Sequence, residues 1–280
     1  MAATQPTRAN DRPNVLGGAF GWFWLAVTIV PIYYIVVTSL RPRADYYTEN
    51  PLSWPSNPTL DAYQEVLDAN FGSYFLNSVI VTVSSVVVVV AISLMAAYVV
   101  VRNRGTFSRR LFNLLLLGIA IPIQGTIVPV YYLIIQIGLY DTLWALILPS
   151  IAFAIPITVL ILVNFLRDVP GELFEAMRVD GATDWRMLWQ LVVPLSRPAI
   201  ITVAIYDALN IWNGFLFPLI LTQSSDKRVL PLSLWSFQGS FSVNIPAVLA
   251  AVVLSVLPLL AAYAIGRRQL VSGLTAGFSK

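Results

Sequence analysis

The sequence predicts an all-α membrane protein with six transmembrane helices, both termini cytoplasmic, and a cytoplasmic helix pair between the fourth and fifth spans. Three observations carry this. The 280 residues are 58% hydrophobic and only 11% charged, with a mean hydropathy of +0.76, whereas a soluble domain is about 25% charged. So few charges cannot cover a water-facing surface of this size, and lipid must be the solvent for much of the chain. Apolar runs near 19–40, 78–101, 111–137, 142–166, 199–222 and 245–266 each reach the about 20 residues that cross a hydrocarbon core as a helix. Finally, Lys and Arg segregate. With a cytoplasmic N-terminus, the inner segments hold Arg8, Arg12, Arg102, Arg104, Arg109, Arg110, Arg167, Arg178, Arg186, Arg197, Arg267, Arg268 and Lys280, and the outer ones hold only Arg41, Arg43, Lys227 and Arg228. Basic residues collect on the cytoplasmic side of membrane proteins, which sets the orientation.

The elements follow in order. The first run is long, lacks a small-x-small cleavage site and is followed by further spans, so it is expected to be retained rather than removed as a signal. The segment 41–77 is rich in Pro and aromatic residues (Tyr46, Tyr47, Pro51, Trp54, Pro55, Pro58) and is expected to form an ordered extracytoplasmic lobe. In water the run Val86 to Val90 of the second span would suggest a strand. In a bilayer an isolated strand leaves its backbone groups unpaired, so a helix is expected. The third run carries Pro122, Gly125 and Pro129, and the fourth Pro149 and Pro156. Proline removes a backbone donor and bends a helix, either as a packing kink or where a cavity satisfies the freed carbonyls. Both readings stand at this point.

The long inner loop, 167–198, reads as two short helices. Asp168 is the expected N-cap of the first, Pro170 suits its first turn, and Leu173, Phe174 and Met177 form its apolar face. Asp180-Gly181 ends it, Thr183 caps the second helix, and Trp185, Leu188, Trp189 and Val192 form an amphipathic stripe. Such a pair buries its apolar residues either against its own spans or against a partner. In the fifth span Asp207 is the one carboxylate well inside an apolar run. Charges at that depth face a cavity or a partner. Tyr206, Asn210, Asn213 and Phe217 share a helix face, Asp207 neighbours Asn210 at i, i+3, and Trp212 lies alongside. Amides beside aromatic rings suit a sugar, with hydroxyls at its edge and C–H groups on its faces; the alternative is hydrogen bonding between helices. Asn164 and Gln124 are weaker candidates for the same pathway. There is no internal repeat, and residues 1–280 are treated as a single domain.

The absences narrow the chemistry. With no Cys and no His, disulfides, thiolate nucleophiles, His-ligated metals and imidazole catalysis are excluded. Paired intramembrane carboxylates are missing too, so no catalytic constellation is expected. The net charge of +3 gives no reason to expect nucleic acid. The sequence contains no Gly-x-x-x-x-Gly-Lys-Ser/Thr phosphate loop.

Glu175-Ala176-Met177, followed by Asp180-Gly181-Ala182 and then Pro194, closely resembles the EAA loop of ABC-importer permeases. Met177 stands where the family often has a second Ala. The stretch Ile211-Trp212-Asn213-Gly214-Phe215-Leu216-Phe217-Pro218-Leu219 and the ending Arg267 to Gly277 are similar to the smaller permease of the maltose-type carbohydrate importers. The resemblance covers nearly the whole chain and implies a type I permease domain in a bacterial-type cell membrane. It implies that Glu175, Ala176, Asp180, Gly181, Ala182 and Pro194 couple to an ATPase subunit dimer, and that the tail reaches toward that dimer. It also implies a second homologous permease and an extracytoplasmic solute-binding protein as partners. ATP and Mg would bind the ATPase, with no cofactor on this chain. Disaccharides and oligosaccharides lead as solutes, with glycerol-phosphate diesters as the alternative. An ion-gradient-driven secondary transporter is the competing class, which ATP dependence of uptake would separate.

Overall fold

The computed structural model describes residues 15–103, 105–234 and 243–276, the side chains of 262 and 265–276 excepted. The expectations for Arg8, Arg12, Arg104, Lys280 and the side chains of the 267–277 tail therefore lie outside the described residues, as do residues 235–242 of the 223–244 loop. Every regular element among the described residues is helical.

Helix α1 (Val15–Ser39) is almost entirely exposed outside its last turn, as a lipid-facing helix must be. A lobe follows, containing a short 3-10 turn (Asp45–Tyr47) and α2 (Asp61–Asp68). The expected ordering of this lobe has a definite source. The guanidinium of Arg41, 1% exposed, donates to the carbonyls of Asn50 (3.0 Å) and Ser53 (2.8 Å) and pairs with Glu49 at 3.1 Å. A buried cation is tolerated because the loop closes around it with carbonyls and a carboxylate. Helix α3 (Phe71–Arg102) is the longest of the helices long and apolar enough to cross a membrane and runs through the valine stretch, as the bilayer argument requires.

The third apolar run departs from expectation. It is not one straight helix over 111–137 but α4 (Thr106–Leu117) and α5 (Ile123–Gln136), which meet at 104°. Pro122 sits at the break in extended geometry and caps α5. Gly118 makes the bend possible, because a Cβ there would stand 2.7 Å from Pro156 Cγ on the next helix. Helix α6 (Trp144–Arg167) continues through Pro149 and Pro156, both buried, so Pro156 serves packing. Helices α3 and α6 form the main packed pair of the fold.

The inner loop folds as α7 (Gly171–Val179), α8 (Asp184–Met187), a π turn (Leu188–Val192) and α9 (Val193–Leu195). Pro194 has no N–H for the carbonyl of Gln190, and the turn before it widens so that Val193 N donates to Leu188 O. Asp168 does not cap α7. It closes the C-terminus of α6, and Pro170 takes the cap position. The fifth run is also broken, into α10 (Arg197–Trp212) and α11 (Leu216–Leu221), and α10 leaves the α8–α9 helix at 77°. A short α12 (Leu230–Ser233) and α13 (Ile245–Ala276) complete the chain. By length and apolarity three helices could each cross a membrane, or up to five spans if each bent pair counts as one; Ile245–Ala261 is a shorter apolar helix.

Candidate functional site

Two regions carry the sequence candidates. The first is a cavity of about 350 Å³ between α3, α6 and the broken α10–α11 span. Tyr206, Asp207, Asn210, Trp212 and Phe217 all line it. Asp207 is 1% exposed, and its Oδ2 lies 2.8 Å from the Thr158 hydroxyl of α6. The predicted amides are tethered to their own helix: Asn210 Nδ2 donates to Tyr206 O at 2.8 Å and Asn213 Nδ2 to Leu209 O at 2.7 Å. Each amide keeps its side-chain oxygen as an acceptor.

Trp212 is chiefly a packing residue. It is 7% exposed, meets Phe75 edge-on at 5.9 Å, and its indole N–H donates to Ser255 O at 3.3 Å, docking α10 on α13. Asn213, Gln124 and Asn164 do not line this cavity. Gln124 and Asn213 are exposed, and Asn164 borders a separate cleft of about 530 Å³ near α7 together with Asp168 and Thr202. Sequence reasoning missed the lining residues Thr82, Ser150 and Phe153, and Thr158, the partner of Asp207. All are small polar or aromatic residues of apolar spans, and nothing in a single sequence tells a cavity wall from a lipid face. Thr82 Oγ1 is buried without a partner, and the rings of Phe153 and Phe217 stand 5.6 Å apart.

The second region is the hairpin α7–α9. Phe174, 2% exposed, anchors it between Tyr98 (ring centroids 6.4 Å) and the Arg102 guanidinium, 4.4 Å above its ring. Leu188 and Val192 insert into the same core. Gly181 has φ +75°. Gly181 N donates to Arg178 O at 3.0 Å and Ala182 N to Met177 O at 2.9 Å, which is the Schellman ending that glycine permits. Thr183 caps the second helix, accepting from Arg186 N at 3.3 Å. The Asp184 carboxylate accepts from the Tyr98 hydroxyl at 2.8 Å, a bond the sequence gave no sign of.

The expected apolar stripe splits. Leu188 and Val192 are buried, whereas Trp185 and Trp189 lie against each other edge-on at 5.7 Å and are 60% and 54% exposed. Val179, at 88%, is exposed beside the turn. Glu175, Ala176, Asp180, Gly181 and Pro194 are exposed and Ala182 is half-buried. The structure thus brings Glu175, Ala176, Asp180 and Gly181 together on one outward-facing hairpin rich in unburied aromatic and acidic groups.

Comparison with known proteins shows the family. Residues 89–272 match the family model of the binding-protein-dependent transport system inner membrane component. The chain is 40% identical over 257 residues to a putative ABC transporter permease protein of Caldicellulosiruptor sp. (strain Rt8B.4), covering 92% of this chain and 94% of that one. It is 34% identical over 257 residues to a diacetylchitobiose uptake system permease protein of Streptomyces coelicolor, covering 91% and 85%. Among solved structures, a chain of a bacterial ABC transporter involved in the import of the acidic polysaccharide alginate superposes with a TM-score of 0.80 at 20% identity, covering 95% of this chain and 99% of that one. At that identity the likeness speaks to the fold alone.

Proposed function

The chain belongs to the family of inner membrane components of binding-protein-dependent transport systems, and on that premise we propose that it is one of two permease subunits of an ATP-driven ABC importer for a di- or oligosaccharide. It is a multi-pass cell-membrane protein and a transport component rather than an enzyme. In this reading the bent α4–α5 pair, the α10–α11 run and Ile245–Ala261 each complete a span beside the three long helices, giving six spans with both termini cytoplasmic.

The observation that carries the reading is the hairpin. Glu175, Asp180, Trp185 and Trp189 stand exposed at the end of the bundle where an ATPase would dock in this reading. Exposed aromatic anchors with charge at the rim are what a protein partner buries. The hairpin is joined rigidly to α3 and α6 through Phe174, Leu188 and Val192. Movement of a seated ATPase would therefore reach the spans directly. ATP and Mg would sit on that ATPase dimer, and a second homologous permease would complete the pathway. An extracytoplasmic binding protein would deliver the solute; a solved alginate transporter with a similar fold is in complex with a pentasaccharide-bound periplasmic protein. Tyr206, Asp207, Asn210 and Phe217 are the pathway residues. The sugar assignment draws on relatives named for diacetylchitobiose and trehalose, ahead of glycerol-phosphate diesters.

The test is co-purification of the ATPase with the permease pair, with uptake measured in proteoliposomes. Glu175→Ala, an exposed change, should weaken ATPase retention and lower uptake while membrane insertion stays normal. Uptake that continues without ATP on an imposed ion gradient would move the protein to the secondary-transporter class.

A further inference from the structure

We propose that the loop 50–60 is an interfacial membrane anchor: it lies on the bilayer surface beside the end of α1, with Leu52 and Trp54 set among the lipid headgroups and the first acyl carbons. The proposal rests on α1 crossing the membrane, and on nothing about the solute or the partner subunits.

The loop is held at a definite level. Arg41, two residues beyond α1, donates to the carbonyls of Asn50 and Ser53 and pairs with Glu49. At the far end of the stretch Thr59 N donates to Leu40 O at 2.8 Å. Both ends of the loop are thus tied to the two residues that directly follow α1, and the loop cannot leave the level at which that helix stops. Lipid reaches up to that level, because Tyr33 and Val36 are still exposed within two turns of the helix end. Trp22 and Trp24 are exposed near the other end of the same helix. From Trp22 to Ser39 it runs about 25 Å at the helical rise per residue, close to the about 30 Å of a hydrocarbon core. With Trp22 and Trp24 at one interface, the loop stands at the other. Tryptophan collects at both interfaces because its ring is apolar and its N–H is not.

The composition of the loop fits that place. Residues 50–60 hold no charged side chain, whereas Arg43, Asp45 and Glu49 precede them and Asp61 follows. Leu52, Trp54 and Leu60 are 52%, 60% and 61% exposed, and Pro55 alone in the stretch is buried. The backbone fits as well. Leu52 N donates to Asn50 Oδ1 at 3.0 Å, Ser53 N to Asn50 O at 3.0 Å and Ser56 N to Glu49 Oε1 at 3.3 Å. Pro51, Pro55 and Pro58 carry no amide hydrogen. With Thr59 also paired, most positions of the loop present no free donor. A segment that enters the interface must satisfy its donors in this way, since water becomes scarce there. A protein that docks and leaves is a poorer match. Surfaces that meet and part in water are more polar than permanent ones. A charge-free stretch showing Leu52, Trp54 and Leu60 calls for a permanent apolar neighbour, and the lipid around α1 is adjacent to it.

The experiment uses the assembled transporter in nanodiscs of phosphatidylcholine and phosphatidylglycerol. The chain has no Cys, so with Cys-free partner subunits a nitroxide can be placed on Leu52→Cys alone, with Trp54 kept. Its relaxation is measured with oxygen, which concentrates in lipid, and with a nickel chelate, which stays in water. The ratio of the two effects should lie several-fold above that of the same label in water and match that of phospholipids spin-labelled on the first acyl carbons. Adding Trp54→Asp should return the ratio to the water value, because a charge there draws the loop off the surface. A water-like ratio with Trp54 present puts the loop in solvent and overturns the anchor. Protection from both reagents shows a protein cover and overturns it too; a cover that needs added binding protein is that protein, and one present without it is the second permease. A lipid-like ratio that Trp54→Asp leaves unmoved overturns Trp54 as the anchor. None of these outcomes touches the importer reading, which ATP-driven uptake in proteoliposomes tests separately.

Discussion

The end of the bundle that carries the lobe and the end that carries the hairpin are held together by different physics. At the lobe end, segments far apart in sequence are stitched by side-chain hydrogen bonds to backbone. Asn77 Nδ2 donates to the carbonyls of Asp226 and Arg228 at 2.8 and 2.9 Å, and Ser78 Oγ accepts from Leu230 N at 2.8 Å. Asp141 Oδ1 accepts from the amides of Gln223 and Ser224 at 2.8 and 3.0 Å, and its Oδ2 accepts from the Ser224 hydroxyl. Asn244 donates to Glu65 at 2.7 Å. At the hairpin end the elements are pegged by apolar side chains, chiefly Phe174, Leu188 and Val192, and much of the polar surface is left open. The difference is instructive. Polar stitches satisfy loop backbone that has no other partner, and they fix one geometry. Apolar pegs hold a rigid hairpin while leaving its outer face free for a partner.

The largest test removes a peg. Phe174→Ala should cost about 3–5 kcal/mol locally and free the hairpin. Hydrogen exchange over 171–195 should rise and ATPase retention should be lost, while exchange at 222–233 stays as in wild type. Equal loosening at both ends would show that they are not separately held.

Removing a stitch comes next. Asp141→Ala strands the amides of Gln223 and Ser224, at a cost of about 1–3 kcal/mol. The Ser224 hydroxyl, followed by the Gln223 amide, holds the Asp141 carboxyl below its ordinary range. A lowered folded-state pKa gives stability that is present above the unfolded value of about 3.9 and lost as pH falls through the folded one. Thermal midpoints of wild type and Asp141→Ala should therefore differ at neutral pH and converge only under acid conditions. A gap that persists unchanged into acid would show that the stitch does not depend on the charge.

A smaller effect is expected at the hairpin turn. Gly181→Val forces a β-branched residue into φ +75°, costing about 1–2 kcal/mol. Nothing lies within 4 Å of the added Cβ, so backbone strain is the only source. Solute-stimulated ATP hydrolysis should fall while thermal stability changes little. The least effect belongs to Arg178→Ala. Its pairing with Asp184 spans 3.7 Å between side chains 64% and 70% exposed, and such pairs contribute about 0–1 kcal/mol. A loss of ATPase retention in this variant would assign Arg178 to the partner interface, since the intrachain pair cannot account for it.

Much of this was legible in the chain. Composition fixed lipid as the solvent, because an apolar run of that length has no other stable environment. The hairpin was readable because glycine at a positive φ, a Thr cap and an apolar face are local rules. The stripe of Trp185, Leu188, Trp189 and Val192 was read correctly as apolar, but it is wider than the core it meets, so its tryptophans stay outside. Asp168 was misplaced by one element because Pro170 could itself occupy the cap position.

By itself, then, the sequence determined what depends on neighbours along the chain: helicity of the apolar runs, the hairpin with its turn, and that prolines bend the third run. Tertiary structure alone decided how far the breaks turn, since the 104° angle between α4 and α5 needs Gly118 to meet Pro156 of another helix. It also decided which polar residues share a cavity. Asp207 and Thr158 lie on α10 and α6, 49 residues apart, and Asp141 and Ser224 meet across 83. Hydropathy and periodicity describe one helix at a time, whereas a hydrogen bond between helices depends on their relative rotation and depth, which packing sets.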